Sequence, residues 1–162
     1  MTRTRPLVLE SHALEQGATG TRLAGSVEGH ELYFQTASAL GLVPGAEPFL
    51  CAMLLPAMEQ GRDIVIPGDL GAAARFLANL DMLQDIYAVW YPGFHKIGIH
   101  VQTRPDETGI SNRGRGLFFS GGLDACHSLQ RFGSAIDTLV YVRGIDMQLD
   151  DDALYQQCLQ AN

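Results

Sequence analysis

The chain has 162 residues, 46% of them apolar and 18% charged, enough for one domain or two very small ones and too apolar for a disordered or collagen-like chain. Eleven basic residues against eighteen acidic ones give a net charge of −7, which argues against a sequence-independent nucleic-acid binder, because that needs Lys and Arg to displace phosphate counterions. Cys51, Cys126 and Cys158 are too scattered for a disulfide framework or a paired zinc site. The apolar run Phe49–Met58 is far shorter than a membrane span of about 20 residues, and Leu7-Val8-Leu9 is too short for a signal-peptide core. The expectation is a soluble, cytoplasmic globular protein.

In chain order, Leu14–Gly20 is polar and reads as a loop. Thr21–Val27 and Glu31–Thr36 are β-prone runs around Glu28-Gly29-His30 and predict a hairpin. Ala39–Pro48, with two glycines and two prolines, reads as a loop. Phe49–Gln60 places Phe49, Met53 and either Leu54 or Pro56–Ala57 on one helical face, and Gly61 stands where a C-cap glycine belongs. Asp63–Ile66 is a short strand ended by Pro67-Gly68. The clearest helix runs from Leu70 to Trp90, with Phe76, Leu77, Leu80, Leu83, Gln84, Tyr87 and Val89–Trp90 at three- and four-residue intervals, and Pro92-Gly93 stops it. Lys96–Gln102 alternates Ile97, Ile99 and Val101 with polar residues, as a strand with one wet face does. Thr103–Arg115 is polar and is the best candidate linker.

Beyond it the pattern changes. Gly116-Leu117-Phe118-Phe119 is continuously apolar, as expected of a strand buried on both faces. Ser120-Gly121-Gly122-Leu123-Asp124 follows, then a helix over Ala125–Phe132 with Leu129 and Phe132 on one side. Asp137–Val142 is a second strand of the buried type. This order is the βαβ unit of a parallel sheet. The triplet Asp150-Asp151-Asp152 suits the start of a helix through Tyr155 and Leu159, although with Asp146 it also has the chemistry to bind Mg²⁺.

The segment Phe118–Asp124 is the candidate site. A loop leaving a buried parallel strand and opening a helix lies outside the carboxyl end of that strand, where open α/β sheets bind ligands. Two adjacent glycines let the backbone turn tightly and approach an anion, and unpaired amides of the helix start point at it. Ser120 adds a hydroxyl. Asp124 is placed to cap the helix or to hold Mg²⁺ or water beside phosphates. The other candidates have plainer readings. Cys126 and His127 are adjacent on a helix and do not face each other, which suggests a packed Cys beside a surface His. His95 and His100 fall on opposite faces of a strand. Trp90-Tyr91 reads as the end of a core helix. Arg113-Gly114-Arg115-Gly116 precedes its strand and reads as solvated charge.

The run Ser120-Gly121-Gly122-Leu123-Asp124 resembles the Ser-Gly-Gly-x-Asp-Ser signature of the PP-loop ATP pyrophosphatases. That superfamily includes 7-cyano-7-deazaguanine synthases, asparagine and argininosuccinate synthetases and tRNA thiolation enzymes. The resemblance covers the last third of the chain and includes the flanking strands Leu117–Phe119 and Thr138–Val142. It implies ATP and Mg²⁺ as cofactors, with Ser120, Gly121, Gly122 and Asp124 at the pyrophosphate, Asp124 at the metal and Tyr141-Val142-Arg143-Gly144 close to the nucleotide. The implied reaction is adenylation of a carbonyl or carboxylate of a small molecule or modified base, with release of pyrophosphate. The region before the linker looks like the accessory N-terminal domain of bacterial PP-loop proteins.

This sequence departs from the pattern twice. Ala125 replaces the final Ser or Thr, and only about 45 residues follow Gly116. The expectation is therefore an α/β protein with an accessory α+β domain over residues 1–108, containing a hairpin, two further strands and two helices. Residues 109–162 would be the opening βαβ portion of a parallel-sheet PP-loop, adenine nucleotide alpha hydrolase-like, domain. An incomplete domain of this kind would homo-oligomerise or be completed by a second chain. The alternative function is a non-catalytic truncated homologue serving as an oligomerising or partner-binding module. No membrane or nucleic-acid partner is expected.

Overall fold

Glu28 and Gly29 have backbone φ angles of 51° and 78°, the left-handed pair required by a two-residue type I′ hairpin turn. They join β2 (Gly20–Val27) to β3 (His30–Ala37) in antiparallel register, Val27 opposite His30. The predicted hairpin is therefore present, in a computed structural model that describes residues 5–18, 20–37, 42–106, 114–140, 148 and 150–161. The chain divides into two compact units, Met1–Thr108 and Gly109–Asn162.

In the first unit the hairpin is extended by a strand that sequence reasoning missed. β1 (Leu7–Gly17) pairs antiparallel with β2 up to Gly17 opposite Gly20, so the expected loop from Leu14 is largely strand. Its distal half has no apolar alternation, because most side chains from Glu10 to Gly17 are exposed. Backbone pairing holds it where burial does not. Leu9 pairs with Val27 but Ser11 with Ser26, so Glu10 is the extra residue of a β-bulge.

Helix α1 (Glu47–Gln60) begins earlier than expected, with Pro48 in its first turn where the missing N–H costs nothing. It ends at Gly61, whose φ of 62° lets its N–H reach the last carbonyls. Phe49, Leu50, Met53, Leu54, Ala57 and Met58 are buried. The Phe49 ring packs edge-on against Phe34 at 5.6 Å and comes close to the backbone of β2 because Gly25 has no side chain; a Cβ there would be 2.8 Å from both Leu9 Cδ1 and Phe49 Cε1. A fully buried side chain of this size contributes about 1.5–3 kcal/mol. Arg62, just past the helix, donates to the carbonyls of Arg5 (2.6 Å) and Pro6 (3.2 Å), to Gln60 Oε1 (2.9 Å) and to Glu28 Oε1 (2.5 Å).

β4 (Ile64–Val65) lies parallel to β1, and β6 (Ile99–His100) parallel to β4, giving a five-stranded mixed sheet in the order β3-β2-β1-β4-β6. β5 (Gly71–Ala73) and β7 (Gln102–Arg104) form a second parallel pair. Residues 71–73 were expected to be helix and are strand. Gly71 leaves room for the Arg104 side chain, which donates to the Gly71 carbonyl and to Glu47 Oε1. Parallel strands joined by a helix also make this unit more than the hairpin with two further strands expected of an α+β accessory domain. Thr103 and Arg104 belong to β7, so the polar stretch leaves the sheet later than expected, and residues 107–113 of the linker lie outside the described residues.

Helix α2 (Ala74–Trp90) starts with the Arg75 N–H bonded to Asp106 Oδ1 at 2.8 Å. Leu80 and Gln84 are buried, and Phe76, Leu77, Leu83 and Tyr87 pack against the core. Val89 (80% exposed), Trp90 (67%) and Tyr91 (50%) do not. The core helix does end at Trp90-Tyr91 as expected, but these two side chains lie outside the core: Trp90 meets Tyr87 edge-on, and Tyr91 lies tilted against Tyr87 and Phe94.

In the second unit, β8 (Gly116–Phe118) and β9 (Thr138–Val140) pair in parallel, Leu117 opposite Leu139, with α3 (Leu123–Phe132) and a 3₁₀ turn (Gly133–Ala135) between them. The βαβ order is as expected, but the burial is not. Phe118 is 73% exposed and Leu139 39%, so neither is enclosed on both sides as a central parallel strand would be. Leu129 is half-buried, while Phe132 is exposed beneath the Arg131 guanidinium, 5.3 Å from its ring centre. Helix α4 (Asp152–Ala161) is capped by Asp151, whose Oδ1 accepts the Leu154 N–H at 2.9 Å; this is the cap reading of the acidic triplet. Asp146 lies outside the described residues. Among the described residues no helix is long and apolar enough to cross a membrane.

Candidate anion-binding loop

The ladder between β8 and β9 runs one residue past the strand end, where the Phe119 N–H reaches the Val140 carbonyl at 2.9 Å. The chain then leaves the sheet at its carboxyl edge. Gly121 has a φ of 78°, which an L-residue with a Cβ rarely adopts. Gly122 returns to extended geometry (φ −70°, ψ 165°) as the N-cap of α3. No atom lies within 4 Å of the Cβ position at Gly121, so the loop's outer side is open; at Gly122 the nearest atom is Ser120 Oγ, at 3.4 Å. The demand for glycine at 121 is therefore conformational.

The first intrahelical bond runs from the Cys126 N–H to the Gly122 carbonyl, 3.0 Å. The N–H groups of Leu123, Asp124 and Ala125 precede it and have no carbonyl four residues back. Three donors at the positive end of a ten-residue helix are suited to an anion. Ser120 is exposed, and its Oγ accepts a long 3.5 Å contact from the Gly122 N–H, leaving its proton free to turn outward.

Asp124 does not cap the helix: the N-cap is Gly122, with no side-chain cap bond, and Asp124 lies in the first turn with its carboxylate exposed. It is a hard oxygen donor suited to Mg²⁺. Among the described residues no group of three or more His, Cys, Asp or Glu gathers around a metal position, so a magnesium ion here would take its remaining ligands from phosphate and water. Ala125 offers its N–H but no hydroxyl. Between Phe118 and Cys126 there is no Lys or Arg, so the loop itself supplies no cation.

The sequence residues Ser120, Gly121, Gly122 and Asp124 are thus held on one strand-to-helix turn. Tyr141-Val142-Arg143-Gly144 lies outside the described residues. Arg115 is at the amino end of β8, a strand's length from the loop; its N–H is clamped by Asp137 Oδ2 at 2.7 Å. Cys126 is exposed rather than packed, with Sγ 3.6 Å from the Gly121 carbonyl, because none of the described segments packs against this side of α3. Leu123, 86% exposed at the first helical position, gives the loop an apolar flank that sequence reasoning missed. The signal was its helical phase, out of step with Ala125 and Leu129. In the first unit, His100 Nε2 lies 3.6 Å from Asp63 Oδ2, while His95 bonds through its backbone N–H to the Met58 carbonyl. The chain matches no protein-family model, no curated protein and no solved structure.

Proposed function

We propose that the protein belongs to the PP-loop ATP pyrophosphatases and that its Ser120–Asp124 loop holds the pyrophosphate portion of Mg²⁺-bound ATP. The reaction is adenylation of a carbonyl or carboxylate oxygen on a small molecule or modified base, with pyrophosphate as the leaving group. The observation that carries this reading is the left-handed Gly121 followed by three open helix amides at the carboxyl end of a parallel strand.

In this reading the N–H groups of Leu123, Asp124 and Ala125 donate to phosphate oxygens, and their fixed orientation stabilises the charge that grows on departing pyrophosphate. The Ser120 hydroxyl turns from Gly122 to add a fourth donor. The Asp124 carboxylate holds Mg²⁺ through oxygen. Bound ATP supplies an activated phosphoanhydride at this position. Because the loop carries no Lys or Arg, charge neutralisation at the loop itself would fall to Mg²⁺, and nucleotide binding should weaken when Mg²⁺ is removed.

A second reading, a partner-binding or oligomerising module without catalysis, is favoured by the exposure of Phe118, Leu123, Phe132 and Leu139. Thermal shift with Mg²⁺–ATP and with pyrophosphate, run beside a pyrophosphate-release assay, separates the two. The enzyme reading expects stabilisation by both ligands, loss of it without Mg²⁺ and in Gly121→Val/Gly122→Val, and ATP-dependent release of pyrophosphate. An equal shift in the double variant would place the nucleotide elsewhere. No shift, together with self-association by light scattering, would favour the second reading.

A further inference from the structure

Strand β6 is an edge of the five-stranded sheet, and its backbone directions are fixed by its one neighbour. The carbonyls of Gly98 and His100 accept the N–H groups of Ile64 and Ile66, each at 2.9 Å. Successive residues of a strand alternate in direction, so Ile97 and Ile99 turn their N–H and C=O groups away from β4. The Ile97 N–H is taken by Gln84 Oε1 of α2 at 2.9 Å. The Ile99 N–H and the carbonyls of Ile97 and Ile99 have no partner among the described residues.

Gln84 is 2% exposed, and its Nε2 donors have no partner among the described residues, which is rare for so buried an amide. It lines a groove of about 290 Å³ together with Leu77, Asp81, Ile97, Gly98 and Ile99. The groove therefore combines apolar walls with alternating backbone donors and acceptors and one buried side-chain donor. An extended peptide backbone complements that set, alternating its own N–H and C=O groups along one side.

Charge narrows the occupant further. The Lys96 ammonium lies 2.9 Å from Asp81 Oδ1 and 2.8 Å from Asp85 Oδ1, so one cation serves two carboxylates and the rim keeps a net negative charge. A second copy paired edge to edge would bring another pair of carboxylates to this rim. A peptide carrying lysine relieves the excess instead. We propose that the open edge of β6 takes up an extended, basic peptide segment of a partner protein as an added strand, with a β-branched side chain against Leu77, Ile97 and Ile99.

The test uses the full chain and the acetylated, amidated pentapeptide Lys-Val-Thr-Val-Lys, followed by amide-resolved NMR. Peptide should slow exchange of the Ile99 amide and shift the Gln84 side-chain NH₂ resonances. Methylating alternate peptide nitrogens on the bonding side should weaken binding more than tenfold. Ile99→Pro, which removes an N–H that β4 does not use and which an edge strand tolerates, should do the same. Equal affinity for the methylated peptide, or an unmoved Ile99 amide at millimolar peptide, would overturn the proposal. So would Ile99 protection that rises with protein concentration in the absence of peptide, because the edge would then belong to a second copy.

Discussion

The two units use similar apolar runs to opposite ends. In the first, side chains from Leu7 to Ile97 close around Phe49 and Ile64, both fully buried. In the second, none of the residues 114–140 is buried, and Phe118 stands 73% exposed on a continuously apolar run. An apolar run favours a strand, but its burial depends on what other segments bring against it. The first unit has α1 and α2 to cover its sheet. In the second, Phe118 and Leu139 are left in contact with solvent.

Phenylalanine gives the bluntest way to break this comparison. Phe49→Ala should cost about 3–5 kcal/mol, through lost burial and the cavity left behind. Phe118→Ala should change stability by no more than about 0.5 kcal/mol. Urea transitions followed by Trp90 fluorescence and by circular dichroism measure both. A loss at Phe118 as large as that at Phe49 would mean that its ring is covered in solution.

The loop of the second unit offers the next largest effect. Ala125→Ser adds a hydroxyl beside the open amides and should tighten pyrophosphate binding, measured calorimetrically, by about 1.5–3 kcal/mol, the range for one hydrogen bond to a charged group. Unchanged affinity would mean that the helix start does not face phosphate.

In the first unit, the hydrogen bond from Arg62 to Glu28 holds the Glu28 carboxyl below its ordinary pKa. The native state therefore binds fewer protons than the unfolded state as pH falls through the carboxylate range. The stabilisation is present above that range and drains away below it. Between about pH 6 and pH 3, Glu28→Gln should lose less melting temperature than the parent; an identical loss would show that the pair contributes nothing.

The smallest effect compares two free thiols. Cys51 reaches the surface as Cys126 does, but partial desolvation and the nearby Glu47 carboxylate push its thiol up, which lowers its thiolate fraction. Cys126 is exposed beside the loop. Peptide-resolved alkylation at about pH 8 should modify Cys126 faster than Cys51. Mg²⁺–ATP should slow the reaction at Cys126 and leave Cys51 untouched; the reverse order of reactivity would contradict the raised Cys51 thiol.

Elements governed by local chemistry were legible in the sequence. The turn at Glu28-Gly29, the C-cap at Gly61, the stop at Pro92 and the cap within Asp150–Asp152 all follow from what a few residues can do with their own backbone. The order of β8, α3 and β9 was legible for the same reason, and so was the placing of Ser120, Gly121, Gly122 and Asp124 on one turn. Features that depend on distant partners were not. The outer half of β1 is mostly polar and exposed, with only Leu14 packed against the core, and it is held as strand by β2 beside it. Gly71–Ala73 is strand because β7 and Arg104 lie against it. Asp124 would cap a helix that starts at Ala125, but α3 starts two residues earlier, and exposure of Phe118 and Cys126 depends on neighbours that no local pattern encodes.

The Arg62 guanidinium joins segments far apart in sequence: the carbonyls of Arg5 and Pro6, the tip of the β2–β3 hairpin and the end of α1. Such a contact can close only after the hairpin and the helix have both formed and docked, so it belongs to the downhill side of the folding barrier. Interactions made after the transition state act on the rate of escape from the native state rather than on the rate of reaching it. Arg62→Ala should therefore leave the refolding arm of the chevron nearly in place and raise the unfolding arm, which makes this side chain a latch on the lifetime of the folded first unit.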